Sequence, residues 1–366
     1  MAFAYAGRRL CALINSKRGK KKKMRFTELI SYLSGCLLLV GIVESNAAQV
    51  PNTSPIRPGE VWQDDRGIPI QAHGGGILHW NGAYYWFGED RSKGNDPAKR
   101  YVGCYESQDL THWKFLSKAL VVSNPEGLGA GAVVERPKVF YNASTGKFVM
   151  YLHLDDSRYE LARVGVAVSN KVDGPYEYVK SFRPLGQESR DIGQFIDDDG
   201  SAYLIFESRP THGFFIAKLS ADFMDVDKKV AFIDSPLEGG ALVHYQGLYY
   251  VVGSHLSGWS PNPNVYATSP NLAGPWTPMK DIAPLETNTY DSQSSMLLKV
   301  TGMKGTSVIY MGDRWLPKLL WDSRYIWMPM QIGHGGLLLP KPAPWTIDVK
   351  TGLTRILDAD DQPAHQ

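Results

Sequence analysis

The feature that most limits how this chain can fold is a hairpin that recurs five times. Gly76-Ile77-Leu78-His79-Trp80 and Ala83-Tyr84-Tyr85-Trp86-Phe87-Gly88 flank Asn81-Gly82. Asn-Gly between two apolar runs is a strong hairpin signal, because both residues tolerate the positive φ of a tight turn. Residues 138–141 with 147–152, 193–196 with 201–206, 240–245 with 248–252, and 294–300 with 306–311 repeat the arrangement across Gly-containing turns. Three units add a second mark, at 107–113, 169–176 and 269–276, which reads as the turn between a third and a fourth strand. Units of about 50 residues with four strands each predict an all-β protein, a five-bladed β-propeller. No sustained 3.6-residue period competes with it. A β-sandwich or a pair of β-domains is the alternative architecture.

The five units occupy residues 49–366, read as a single domain; residues 1–48 differ in kind. They hold nine basic residues and two acidic ones, whereas the rest of the chain holds 30 basic and 35 acidic, so the formal charge of +2 averages two unlike parts. A basic run at 20–25, an apolar stretch at 29–43 and Ser45-Asn46-Ala47-Ala48 follow in the order of a secretory signal. The expected location is therefore secreted, periplasmic or otherwise extracytoplasmic, with no membrane attachment in the mature form. An uncleaved anchor, a start at Met24 and a lipidation box at Leu33-Ser34-Gly35-Cys36 stay open. An acidic body lacks the basic face that nucleic-acid binding needs. Cys104 is alone outside the leader and reads as a small buried hydrophobe. Asn52 and Asn142 begin glycosylation acceptor triplets.

A propeller gathers ligands on its axis, so polar residues at the start of each first strand are the first candidates for a site. The units enter with Gln71-Ala72-His73-Gly74-Gly75-Gly76, Glu135-Arg136-Pro137-Lys138, Ser189-Arg190-Asp191-Ile192-Gly193, Leu237-Glu238-Gly239-Gly240 and Tyr290-Asp291-Ser292-Gln293-Ser294. Four of the five bring a carboxylate or carboxamide to one register. Carboxylates that converge repel one another, which raises at least one pKa and suits a general acid.

These segments, with the Asp197-Asp198-Asp199-Gly200 turn and the five-unit pattern, resemble glycoside hydrolase family 43, and within it the exo-β-1,3-galactanase branch. The resemblance spans roughly residues 60–350. It implies an inverting hydrolase with Glu238 as general acid and Asp191 as the carboxylate that tunes it. The usual first-blade Asp base is missing, and the branch places a blade-five Gln there, which Gln293 matches. A carboxamide is a poor base, so positioning of water is the safer role; Glu135 is the rival for water activation. The resemblance further implies that Glu135, Glu89 and Tyr159 contact sugar. Trp259 and Trp315, in loops after second strands, are candidates to stack on a pyranose.

The function so implied is release of galactose from β-1,3-galactan by a monomer acting on a polysaccharide or oligosaccharide. A β-xylosidase or α-L-arabinofuranosidase, or a non-catalytic sugar-binding propeller, are the alternatives. No cofactor and no metal ligand set are expected. The exception to weigh is a structural calcium in the central channel, toward which His73 and His334 would point.

Overall fold

The computed structural model describes residues 54–358; the expected leader and the Asn52 acceptor lie outside them. Blade 1 comprises β1 (His73–Trp80), β2 (Ala83–Glu89), β3 (Arg100–Ser107) and β4 (Lys114–Val122). Blade 2 comprises β5 (Val133–Asn142), β6 (Lys147–Asp155), β7 (Arg163–Ser169) and β8 (Glu177–Phe182). Blade 3 follows with β9 (Ile192–Ile196), β10 (Ala202–Ser208), β11 (Gly213–Leu219) and β12 (Val226–Ile233). Blade 4 has β13 (Leu237–Tyr245), β14 (Leu248–His255), β15 (Asn264–Ser269) and the short β16 (Lys280–Asp281). Blade 5 has three strands, β17 (Gln293–Thr301), β18 (Thr306–Arg314) and β19 (Arg324–Pro329). Each pairs antiparallel with its neighbour in chain order. The first strands meet in sequence, β1 against β5, β9, β13, β17 and back to β1, which makes a five-bladed β-propeller.

Both faces of each blade are covered, and the apolar residues alternate to serve them. On β10, Leu204 and Phe206 join Phe140 and Tyr151 between blades 2 and 3. Ile205, one residue over, points the other way and joins Phe214, Leu242 and Val251 between blades 3 and 4. Phe87, Leu120, Met150 and Leu152 fill the space between blades 1 and 2, and Cys104 is buried among them. Trp86, Val252, Tyr310 and Trp327 belong to one cluster that ties blades 4, 5 and 1. The ring is thus held by burial of side chains between sheets, each contributing on the order of 1.5–3 kcal/mol.

Closure comes from the two ends of the described chain. Beyond β19 lie a small hairpin, β20 (Gln331–Gly333) with β21 (Gly336–Leu338), and a second, β22 (Trp345–Asp348) with β23 (Leu353–Ile356). Ile56 N donates to Trp345 O at 2.8 Å and Trp345 N to Ile56 O at 3.0 Å, while Gly59 N reaches Tyr325 O at 2.8 Å. Trp62 then packs edge-on against Trp327, with centroids 5.1 Å apart.

Two expectations are corrected. His334 is exposed in the β20–β21 turn, away from any channel. Asn142 is 2% exposed, and its amide donates to Ala221 O at 2.8 Å while its Oδ1 accepts from Ser144 and Thr145, so this acceptor triplet is closed to a glycan. No helix among the described residues is long and apolar enough to cross a membrane.

Candidate active site

The inner strands do not run straight into the axis. In four of them the ladder slips at the entry, between His73 and Gly76, Glu135 and Lys138, Glu238 and Ala241, and Ser294 and Met296. A bulge of this kind bends its strand and re-aims the side chain beside it. In three blades the second bulge residue is left-handed: Gly74 (φ 57°), Arg136 (φ 52°) and Gly239 (φ 64°). Glycine adopts this at no steric cost; a Cβ on Gly239 would also sit 2.9 Å from Ser294 O. Arg136 bears the strain because it is held at both ends: its N–H donates to Glu89 Oε1 at 3.1 Å, and its guanidinium reaches Asp191, Gln293 and Ser294 O. Blade 5 achieves the same re-aiming with four left-handed residues, Asn288 to Asp291, followed by extended Ser292 and then Gln293. Thr289 Oγ1 accepting from Asn264 N at 2.6 Å and Tyr290 O accepting from Arg314 at 2.7 Å hold that turn.

The result is a ring of entry residues, each opposite a residue on its blade's second strand. His73 faces Glu89, Glu135 faces His153, Glu238 faces Ser254 and Gln293 faces Asp313. In blade 3, Glu207 N donates to Asp191 O at 3.2 Å. The eight candidates named from sequence, Glu89, Glu135, Tyr159, Asp191, Glu238, Trp259, Gln293 and Trp315, all line one cavity of about 290 Å³. His73 does not; its Nδ1 lies 3.3 Å from Asp313 Oδ1 and its ring stacks on Tyr325.

Glu238 is 5% exposed. Its Oε1 accepts from Gln293 Nε2 at 3.0 Å, and its Oε2 lies 3.7 Å from Arg209 Nη2. Burial, then repulsion from Asp191 and Glu207, push it up to about 8 against the pull of Arg136 and Arg209. Asp191 pairs with Arg136 at 2.8 Å and accepts from Gly239 N at 3.0 Å, which locks blade 3 to the bulge of blade 4.

The orientation of Gln293 follows from its neighbours. Arg136 and the indole N–H of Trp315 are obligate donors, so the atom facing both is the carbonyl oxygen. Its Nε2 then donates to Glu238 and, at 2.9 Å, to Ser254 Oγ. Both lone pairs of Oε1 are engaged, so a water can hydrogen-bond there only by displacing a donor; Trp315 is the more accessible of the two.

Glu135 is treated oppositely. Burial would raise it, but His153 at 3.4 Å, Arg91 at 3.3 Å and the Tyr159 hydroxyl at 3.1 Å outweigh burial and hold it down at about 2. His153 is lowered by burial, yet Asp155 at 3.0 Å and Glu135 drive it up to about 9. Glu89 accepts from Arg91 Nε at 2.9 Å; burial pushes it upward against that pull. Trp259, 39% exposed, meets Trp315 edge-on with centroids 5.3 Å apart. Together they wall one side of the cavity.

Reading the sequence found the entry ring but missed most of the second ring and its cations. Arg91, Arg136, His153, Glu207 and Arg209 had no assigned role. A signal existed: Glu207 and His153 are polar residues interrupting apolar second strands where both faces are buried. Among the described residues, Asp197, Asp198 and His244 are close enough to share a cation, but Lys299 Nζ already bonds Asp198 Oδ1 and His244 O.

The sequence pattern of glycosyl hydrolases family 43 matches residues 69–308. The chain belongs to that family. No curated protein matches it. Among solved structures, an exo-β-1,3-galactanase from Phanerochaete chrysosporium, determined with β-1,3-galactotriose, is 40% identical, with 83% of this chain and 71% of that one covered at a TM-score of 0.77. An exo-β-1,3-galactanase from Clostridium thermocellum is 34% identical, covering 84% and 69% at a TM-score of 0.76. A family 43 β-1,3-galactosidase determined with galactodeoxynojirimycin is 35% identical, covering 77% and 97% at a TM-score of 0.70. The protein is a glycoside hydrolase of family 43.

Proposed function

We propose that this family 43 enzyme is an exo-β-1,3-galactanase, which releases galactose from the end of β-1,3-galactan with inversion. The observation that carries the reading is the placing of Glu238, a carboxyl buried in a sugar-sized cavity beside Gln293 and Asp191, where burial and repulsion favour its protonated form. It supplies the proton that the leaving oxygen needs. The likeness to galactanases and a galactosidase supports galactose as the sugar. Asp191 sustains the proton on Glu238 by its charge. Gln293 orients the attacking water, accepting from it as the Trp315 indole gives way, and the Gln293–Glu238 bond opens as the glycosidic oxygen takes its place. Glu238 yields its proton to that oxygen, and the proton the water sheds passes to solvent in the open cavity, from which Glu238 is reprotonated. Glu135, favoured as a carboxylate by its Arg91 and Tyr159 donors and the nearby His153, accepts from sugar hydroxyls alongside Glu89 and Tyr159. Trp259 and Trp315 offer apolar ring faces to a pyranose. The leader over 1–48 would carry the enzyme out of the cytoplasm, and the mature N-terminus, read by mass spectrometry, tests that.

The test is hydrolysis by the purified protein of β-1,3-galactan, aryl β-xyloside and aryl α-L-arabinofuranoside. Galactose alone, released without intermediate oligomers and first seen by NMR as the α-anomer, is expected. Release of xylose or arabinose with no galactose would replace this reading by the other family 43 specificities.

A further inference from the structure

One buried carboxyl has no part in the steps above. Glu207 is the penultimate residue of β10, is 2% exposed and does not line the cavity. Its Oε1 accepts from Arg209 Nε at 3.2 Å, and its Oε2 has no hydrogen-bond partner among the described residues. Arg209, with its side chain 45% exposed, extends from that contact until Nη2 lies 3.7 Å from Glu238 Oε2. One cation therefore spans two buried carboxyls. Leaving a buried carboxyl oxygen unpaired is costly, so such a group calls for an explanation.

We propose that Glu207 is a positioning residue for Glu238: it anchors Arg209 against the acid, and its own charge sets how firmly Glu238 keeps its proton. This rests on the reading of Glu238 as general acid. The charged groups facing Glu207 are Arg209 from the same blade, Asp191 from the entry of β9, His153 from blade 2 and Glu238 from blade 4. Those facing Glu238 are Asp191, Glu207, Arg136 and Arg209, with Gln293 as a neutral donor. Asp191 is committed to Arg136 and to Gly239 N. Glu207 shares its cation with the acid, so the two carboxyls titrate as a pair: loss of the first proton makes the second harder to remove. Burial, then the charge of Asp191, pushes Glu207 upward as it does Glu238, so neither proton leaves independently of the other.

The signs are opposite for the two partners, and that separates this role from mere packing. Glu207→Gln keeps an acceptor for Arg209 but removes the repulsion, so the alkaline limb of kcat on β-1,3-galactobiose should move to lower pH by about one unit. Arg209→Gln removes the attraction, so the limb should move to higher pH by about half a unit or more. Limbs that coincide with the unaltered enzyme, or that move the same way in both variants, overturn the proposal. A carbon-13 titration of labelled Glu carboxyls reads the same midpoints without substrate, with Glu238 assigned as the resonance absent in Glu238→Gln. If the enzyme leaves galactobiose intact, the functional reading fails, while the titration still decides this one. If Glu207→Gln does not fold, the exposed Arg209 variant decides it, and an unmoved Glu238 midpoint there overturns it.

Discussion

Glu135 and Glu238 occupy the same place in two blades. Each is the first residue of an inner-strand bulge, each is buried, and each lines the same cavity. One is held down at about 2 and the other pushed up to about 8. Burial is common to both, so it is not the cause of the difference. The residue opposite on the second strand is: His153, protonated and itself backed by Asp155, stands across from Glu135, whereas Ser254 stands across from Glu238. Arg91 and Tyr159 add to the first environment; Asp191 and Glu207 add repulsion to the second. The fold supplies equivalent backbone positions, and the second ring decides which carboxyl is favoured as an anion and which is favoured protonated.

If that division is right, the two glutamates should fail differently. Glu238→Gln should cost the most, about a thousand-fold in kcat on β-1,3-galactobiose, with a smaller loss on an aryl galactoside whose leaving group needs no proton. Equal losses on both substrates would break the assignment of the acid. Gln293→Ala should lower kcat about a hundred-fold by leaving the water unplaced; near-full activity would return water activation to Glu135. Glu135→Gln should instead act mainly on binding, raising KM about tenfold through lost charge-assisted hydrogen bonds to the sugar. A loss confined to kcat would make Glu135 part of the chemistry and erase the contrast.

The entry ring was legible because each blade repeats, so residues at one register could be aligned with one another. The propeller itself was visible in the Asn81-Gly82 hairpin and its four counterparts for the same reason. The bulges were not legible as bulges: Gly74 and Gly239 look like ordinary turn glycines, and Arg136, which shares their conformation, carries no local sign of it. Nor did sequence show that Arg209 spans two carboxyls, since that contact depends on blades 3 and 4 coming together. His334 was misplaced because a Gly-His-Gly-Gly turn reads alike at a channel mouth and in a surface hairpin. Asn142 matched an acceptor triplet, but its burial depends on Ala221, far along the chain.

The same contrast reaches stability, with the smallest effect. Glu135 is depressed on folding, so its contribution is complete above 4.5 and is lost as pH falls toward about 2. His153 is raised, so its contribution is complete below 6.5 and is lost as pH rises through about 9. Glu238 is raised too, but as an acid: the unfolded chain ionises near 4.5 while the folded one waits until about 8, so folding weakens across that interval. Glu207, raised like Glu238, acts in the same direction, so the melting temperature should decline from about pH 5 toward 7; above that, Lys138, lowered by burial to about 7, offsets part of the decline. Glu238→Gln removes one component of the decline. It should leave melting near pH 5 almost unchanged and raise it at pH 8, by on the order of a few kcal/mol, or several degrees. His153→Asn should flatten only the arm above about 6.5, at the expense of overall stability, because it strands Glu135 and Asp155 without their shared cation. Calorimetry of both variants across this range tests the division directly. A Glu238→Gln variant no more stable than the unaltered enzyme at pH 8 would mean that the acid is not held protonated against its own ionisation, and the two halves of the cavity would then differ less than their partners imply.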